Sequence, residues 1–391
     1  MRSFFRILGR VLSYVFVFVL GGAAAITLLV IGLRQTPYGK LIYLDQLISE
    51  VFIGEYDSEA AADYGASAMV ASTGDRWSYY VPAGSYTDYA EQMSNSYVGI
   101  GITIVPADEG GFRVEEITPG APAAQAGMMI GDVLVAVDGT DCTALSTAET
   151  RDLVRGEAGS EVVITVSRAG ERIDLTITRE SLQTAVAEHT MLPGGVGLVT
   201  IYNFDERCAQ ETIAAIEELT GMGATALIFD VRGNPGGYKD ELVKVLDYLL
   251  PEGDLFISED YRGLRETDTS DAACVELPMA VLVNGSSYSA AEFFAAALRD
   301  YDAAVIVGTQ TCGKGYFQNT YRLPDGSAAA ISIGRYFTPK GVSLADVGIT
   351  PDQVVELSDA QTQSLLAGTL EPKDDPQLQA AINALKTKNV P

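Results

Sequence analysis

The sequence predicts an α/β layered core interrupted by a glycine-rich β insert and preceded by an uncharged apolar segment. Three observations carry this. Apolar strands alternate with amphipathic helices from 196 to 307, the pattern of a layered sheet. Glycine-spaced strands and tight turns fill 95–181, and residues 11–33 hold no charge.

The 391 residues exceed what one small core accommodates, and two or three units are expected. As a helix, residues 11–33 would span roughly 34 Å, enough to cross a bilayer. Arg2, Arg6 and Arg10 precede the run, whereas Arg34 and Lys40 follow it. The heavier basic flank belongs in the cytoplasm, so the remainder is expected outside the cell membrane on a single-pass anchor. A cleaved signal peptide ending near Ala23, Ala24 and Ala25 is the alternative.

The net charge of −26 argues against a nucleic-acid partner, which needs basic surface. Four cysteines, at 142, 208, 274 and 312, form no CxxC pair, so neither a zinc site nor any other metal centre is expected. The lone histidine, His189, has no GxSxG elbow to serve, so a hydrolase here needs another base.

Residues 37–94 read as helical with loops. In 95–181, a strand is expected over 98–102, a turn and short helix over 119–127, and a strand over 133–137. A helix follows over 147–155, then a hairpin turning at Ala169-Gly170. From 182 onward, strands are expected at 196–202, 226–231, 279–283 and 304–307. Helices are expected at 206–219, 239–250 and 289–298, and a last one within 372–391.

Three segments at strand ends carry the chemistry. The first is Asn284-Gly285-Ser286-Ser287-Tyr288-Ser289-Ala290-Ala291-Glu292, where a helix begins at Ser289. Ser289 and Glu292 have capping-box spacing, an ordinary structural role. A helix N-terminus also offers free N–H groups able to hold an oxyanion. The second is Thr311-Cys312-Gly313-Lys314-Gly315-Tyr316-Phe317-Gln318. Lys314 is either a solvated loop charge or a base, and a basic lysine must be neutral, a state that burial favours. Gln318 is placed to hydrogen-bond its amine. The third is Asp230-Val231-Arg232-Gly233-Asn234-Pro235-Gly236-Gly237, a sharp turn able to present an N–H.

Taken together, these blocks resemble the C-terminal processing peptidases, or tail-specific proteases. Arg335-Tyr336-Phe337-Thr338-Pro339-Lys340-Gly341 and Gly348-Ile349-Thr350-Pro351-Asp352 add to the likeness, which spans about 40–357. The resemblance implies a ClpP/crotonase-like layered core with an inserted, circularly permuted PDZ domain. It implies a serine peptidase whose nucleophile is Ser289, whose base is Lys314 and whose orienting residue is Gln318. Gly236 or Gly237, with Ala290, would form the oxyanion hole. Gly99, Ile100, Gly101 and Ile102 would hold the terminal carboxylate of a peptide tail. No cofactor is implied, and the oligomeric state stays open. Tyr288, Ala291 and Cys312 depart from the family pattern. The expected division is 1–36 (stub and anchor), 37–94 (N-terminal helical part), 95–181 (PDZ), 182–357 (catalytic core) and 358–391 (tail). A non-catalytic peptide binder or scaffold on the same fold is the alternative function.

Overall fold

A computed structural model of the chain describes residues 14, 16–25, 27–28, 31–32 and 35–388. The proposed span at 11–33 therefore lies in part outside the described residues. Among the described residues, no helix is long and apolar enough to cross a membrane.

The chain divides into two compact units, Met1–Tyr80 and Val81–Pro391. In the first, helices α1 (Gly39–Val51) and α2 (Ser58–Ala71) are joined through Asp45, which accepts hydrogen bonds from the Tyr56 and Ser58 hydroxyls at 2.8 and 2.6 Å. Asp57 caps α2, accepting the N–H groups of Glu59 and Ala60.

The second unit begins with α3 (Tyr86–Met93) and β1 (Ser96–Gly99). The strand expected over 98–102 is broken at Ile100-Gly101, because Gly101 takes φ +79°. A side chain there would meet the Ala121 methyl carbon at 2.3 Å, so the site requires glycine. The insert follows. Strands β2 (Ile102–Pro106), β3 (Phe112–Ile117), β4 (Val133–Val137), β5 (Glu161–Arg168) and β6 (Glu171–Thr178) form one antiparallel sheet in that order. Helix α4 (Pro122–Gln125) and helix α5 (Thr147–Val154) complete it. Ala169 and Gly170, at φ +52° and +87°, make the tight β5–β6 turn that the sequence marks. Strand β7 (Glu180–Gln183) then pairs with β1, closing the insert at its base.

The α/β core is built on strands β8 (Ala187–Leu192), β9 (Val196–Ile201), β10 (Ala226–Asp230), β13 (Met279–Val283), β14 (Ala304–Gly308) and β17 (Gln353–Val354). All but β8 run parallel. Both faces are covered, which explains the unbroken apolar runs MAVLV of β13 and AVIVG of β14. Leu227 and Phe229 face the core beneath α6 (Cys208–Gly221), α7 (Lys239–Leu249) and α8 (Ala290–Asp300). Ala226 and Ile228 face α10 (Pro376–Lys388), against Leu378, Ala381 and Leu385.

A second, antiparallel sheet lies on the far side of α8, and the sequence reading assigns it no elements. Its longer strands are β11 (Gly253–Asp260), β12 (Arg265–Ser270), β15 (Tyr316–Arg322) and β16 (Ala328–Phe337). Helix α8 is buried all round, as its AAEFFAAALRD sequence allows. Phe294 packs edge-on to Phe229 of the first sheet at 5.3 Å, while Phe293 meets Phe256 of the second at 5.1 Å. Adjacent residues thus bind opposite layers, and the start of α8 is held between them.

Candidate active site

In parallel α/β sheets, ligands bind beyond the carboxyl ends of the strands. Here four such ends lie side by side, with β9 beside β10, β10 beside β13 and β13 beside β14. Each is followed by one chemistry-bearing segment: 202–206, 231–237, 284–289 and 309–314.

Ser289 is the N-cap of α8, one residue before its first helical turn, and is 8% exposed. Its backbone sits at φ +58°, ψ −125°. Such a conformation costs a non-glycine residue on the order of 1–3 kcal/mol, and strain of this kind collects at functional sites. Ser289 and Glu292 form a capping box, in which the Ser289 N–H donates to Glu292 Oε2 at 3.0 Å.

Glu292 is fully buried, and its carboxylate ties the serine to the lysine loop. Oε2 also accepts the Lys314 N–H at 2.8 Å. Oε1 accepts the Gly313 N–H at 2.7 Å and the Thr311 hydroxyl at 2.5 Å. Four donors satisfy the acceptor sites of one buried carboxylate. Sequence reasoning gives Glu292 only as a helix cap; its clamp on the lysine loop shows in three dimensions alone.

Lys314 is half-buried, and its Nζ lies 5.7 Å from the Tyr288 ring centroid. Gly313 and Gly315 flank it for a steric reason. A Cβ at Gly313 would lie 2.9 Å from the Val347 nitrogen, and one at Gly315 would lie 2.5 Å from the Ala345 nitrogen. The loop is pressed against 345–348 and admits no side chain but the lysine. The Gln318 amide donates from Nε2 to Ser332 Oγ at 2.9 Å and to the Tyr316 carbonyl at 3.2 Å, which ties it into the β15–β16 hairpin.

The Gly236-Gly237 turn touches the serine. A Cβ at Gly236 would fall 2.7 Å from Ser289 Cβ and 2.9 Å from the Ala290 nitrogen, at φ +90°. The Gly236 N–H donates to Asn234 Oδ1 at 2.8 Å and is not an open donor. This corrects its expected place in the oxyanion hole, because the buried Asn234 side chain uses that N–H to shape the turn. Asn234 in turn donates to the Ile201 carbonyl at 2.8 Å. Among the described residues the N–H groups of Gly237 and Ala290 have no acceptor, the latter as the first residue of a helix. Arg232, whose side chain is 4% exposed, bonds Asp230 and Asp375 and so anchors the base of the turn to the start of α10. Those two carboxylates hold its guanidinium firmly in the charged form.

Next to this turn lies Asp205, which sequence reasoning passed over. It is 6% exposed, and its Oδ1 is cut off from solvent with no hydrogen-bond partner among the described residues. Burial, with the neighbouring Glu206 charge, pushes its carboxyl up to about 7.

In the insert, the carbonyls of Ile100 and Gly101 accept the N–H groups of Ala123 and Thr118 at 2.9 and 3.0 Å. These bonds fix the loop 99–102 against the turn at 118–123. Strand β2, which continues from it, is an edge strand with a ladder partner on one side only. Among the described residues, no group of three or more His, Cys, Asp or Glu side chains is placed to hold a metal ion.

A model of peptidase family S41 matches residues 195–355, and a model of the PDZ domain matches 113–168. The chain is 30% identical over 331 residues to carboxyl-terminal-processing peptidase 2, chloroplastic, of Arabidopsis thaliana. That alignment covers 81% of this chain and 64% of the relative, just under two thirds of its length. It is 28% identical over 395 residues to the carboxy-terminal-processing protease of Bartonella bacilliformis, covering 90% of each. A solved structure assigned as an S41 protease from Bacteroides fragilis matches with a TM-score of 0.52 at 16% identity, over 89% of this chain and 98% of that one, a likeness of fold alone. Residues 195–355 thus match peptidase family S41 and residues 113–168 the PDZ domain, and across most of its length the chain is similar to carboxy-terminal processing proteases.

Proposed function

We propose that the chain is a membrane-anchored Ser–Lys endopeptidase that takes exported proteins by their C-terminal tails and cleaves them at Ser289. One observation carries the reading: Ser289 is held in a strained conformation at the joint of two sheets and a helix N-terminus, while one carboxylate binds both its amide and that of Lys314.

In the proposed reaction, neutral Lys314 accepts the Ser289 hydroxyl proton as Oγ attacks the peptide carbonyl. The carbonyl oxygen gains the negative charge and is met by the open N–H groups of Gly237 and Ala290. Lys314 then gives its proton to the leaving amine as the C–N bond breaks. Water repeats the sequence on the ester, returning the proton to Ser289. Gln318 supports the hairpin that carries the base, a positioning role through Ser332.

The PDZ insert has an open edge at β2 beside the loop 99–102, which suits strand addition by a peptide tail. The uncharged run at 11–33, with arginines before it, supports a single-pass anchor and an extracytoplasmic catalytic part. The names of the aligned relatives agree with carboxyl-terminal processing.

The test is cleavage of casein and of a tail-bearing protein by the full chain in detergent. Wild type is expected to cut, and Ser289→Ala and Lys314→Ala to lose activity by at least about 10³-fold. Undiminished cutting by Ser289→Ala refutes the mechanism; tail binding without cutting by wild type favours a binder.

A further inference from the structure

The peptide unit between Gly236 and Gly237 carries one of the open N–H groups of the candidate site, and its two glycines sit at φ +90° and +151°. A glycine-flanked peptide rotates easily, because neither neighbour has a Cβ to oppose the turn. Its direction must therefore be held from outside. The carbonyl of that same unit accepts the Phe204 N–H at 2.7 Å, and the Phe204 carbonyl accepts the Tyr238 N–H at 2.7 Å. In a planar trans peptide the N–H points opposite to the carbonyl, so the bond from Phe204 sets where the Gly237 N–H points. The contact is close: a Cβ at Gly237 would lie 2.2 Å from the Phe204 carbonyl carbon.

Phe204 is braced in turn from a distant part of the chain. The Asn203 and Asn95 side chains form a reciprocal amide pair, Asn203 Nδ2 donating to Asn95 Oδ1 at 2.6 Å and Asn95 Nδ2 to Asn203 Oδ1 at 3.1 Å. Asn203 Oδ1 also accepts the Asp205 N–H at 3.0 Å, so the residues flanking Phe204 are joined through one side chain. Asn95 Nδ2 donates to the Glu206 carbonyl as well, at 3.2 Å. Asn95 is itself fixed: it is 5% exposed, and its carbonyl accepts the Thr184 N–H, the Thr184 hydroxyl and Arg207 Nη2 at 2.9, 3.1 and 3.0 Å. Asn95 and Arg207 lie at φ +48° and +76°, a left-handed conformation that Asn tolerates and Arg rarely adopts. Such residues persist only where the surroundings over-determine them, and they collect at functional sites. Asn95 precedes β1 and Thr184 follows β7, so the network sits at both crossings between the insert and the core.

We propose that Asn203 and Asn95 are positioning residues for the reaction: their amide pair fixes Phe204 and thereby aims the Gly237 N–H at the oxyanion. This rests on the reading of the chain as a peptidase. Both act through the Phe204 N–H rather than on the substrate. A donor held in place before the reaction costs no reorganisation when charge develops, and a donor free to swing away loses that advantage.

The test uses the full chain in detergent with Asn203→Ala and with Asn95→Gly, the second because glycine accepts φ +48° and loses only the amide. Three quantities are read on each: kcat and KM on one peptide, the affinity of the matching peptide aldehyde, and, with Ser289→Ala added, the affinity of the uncleaved peptide. The aldehyde adduct on Ser289 places a tetrahedral oxygen where the oxyanion forms, and the uncleaved peptide does not. Each variant is expected to lower kcat at least about 30-fold and aldehyde affinity at least about tenfold, with KM and peptide affinity within about twofold of wild type. The double variant should lose little beyond Asn203→Ala, because the pair acts as one joint. Unchanged kcat and aldehyde affinity in folded variants overturn the proposal. An equal loss of aldehyde and peptide affinity, the mark of a merely structural role, overturns it too. Should Asn203→Ala fail to fold, Asn203→Asp keeps an acceptor for the Asp205 N–H, loses the donor to Asn95 and is read in the same way. Separately, wild type that neither cuts nor takes the aldehyde marks failure of the peptidase reading. Hydrogen exchange over 231–238 then decides the joint: faster exchange in the Asn203 variant supports it, and unchanged exchange overturns it.

Discussion

Glu292 holds Lys314 by its backbone: Oε2 accepts the Lys314 N–H at 2.8 Å while accepting that of Ser289 at 3.0 Å. The two amides therefore lie within about 6 Å of one another through a shared acceptor. The lysine loop cannot drift from the serine without breaking a charge-assisted bond in a dry interior. Glu292→Gln keeps the volume but turns an NH₂ toward two of the four donors. We expect a loss of about 2–4 kcal/mol in stability and at least about 100-fold in kcat, with KM little changed. Chemical denaturation and steady-state kinetics on one peptide check both.

The strain at Ser289 separates two substitutions that kill activity equally. Ser289→Ala keeps a Cβ at φ +58°, whereas Ser289→Gly does not. The glycine variant should be more stable than the alanine variant by about 1 kcal/mol, despite its looser unfolded chain. Equal melting temperatures would show that the conformation stores no strain.

Gly236 has no room for a methyl group. Gly236→Ala would push on Ser289 Cβ from 2.7 Å and on the Ala290 nitrogen from 2.9 Å. The expected result is a folded protein with kcat down at least about 100-fold, because a displacement near 1 Å at the nucleophile is enough. Kinetics on a peptide, together with a circular dichroism spectrum, distinguish this from unfolding.

Asp205 gives a stability profile of unusual sign. Its folded pKa is about 7, raised from 3.8, with Glu206, Cys208, Tyr238 and Tyr288 as the titratable groups that share its field. The folded state then binds the proton more tightly than the unfolded one, so this contribution is complete below about pH 4. It is lost as pH rises to about 7, and at most about 4 kcal/mol is involved. Asp205→Asn should flatten that fall and be the more stable protein at pH 8. Denaturation midpoints at pH 5 and pH 8 give the comparison, and parallel curves for both proteins would contradict it.

Arg232 links the catalytic turn to the last helix through Asp375, both side chains being 4% exposed. Removing one partner of a buried pair leaves the other uncompensated. Asp375→Ala should cost about 3–5 kcal/mol, while the exposed pair Arg151–Asp152 should cost under about 1 kcal/mol when broken. Thermal melts of the two variants make the contrast.

The parallel strands 226–230, 279–283 and 304–308 are legible as apolar runs because a sheet covered on both faces leaves no polar alternation to confuse them. The insert is legible from its turn glycines. The second sheet is not, since β12 reads RETDTS and β15 reads YFQNTYR, half-exposed strands whose pairing comes from β16 and β11 rather than from their own composition. Likewise, Ser332 beside Gln318 and Asn234 beneath Gly236 lie at sequence distances that no local pattern connects to their roles.

The sequence by itself determined the layered core, the insert, and the three segments holding Ser289, Lys314 and the 230–237 turn, because short-range glycine placement and strand-length apolar runs encode them. Only the tertiary structure decided which groups are open. Asn234 closes the Gly236 N–H, Ser332 accepts from the Gln318 amide, and Glu292 binds the serine and lysine loops. Burial leaves Asp205 without a donor. Hydrogen-bond partners across a fold are set by which strand ends become neighbours, and that is a property of the packed sheet rather than of any stretch of the chain.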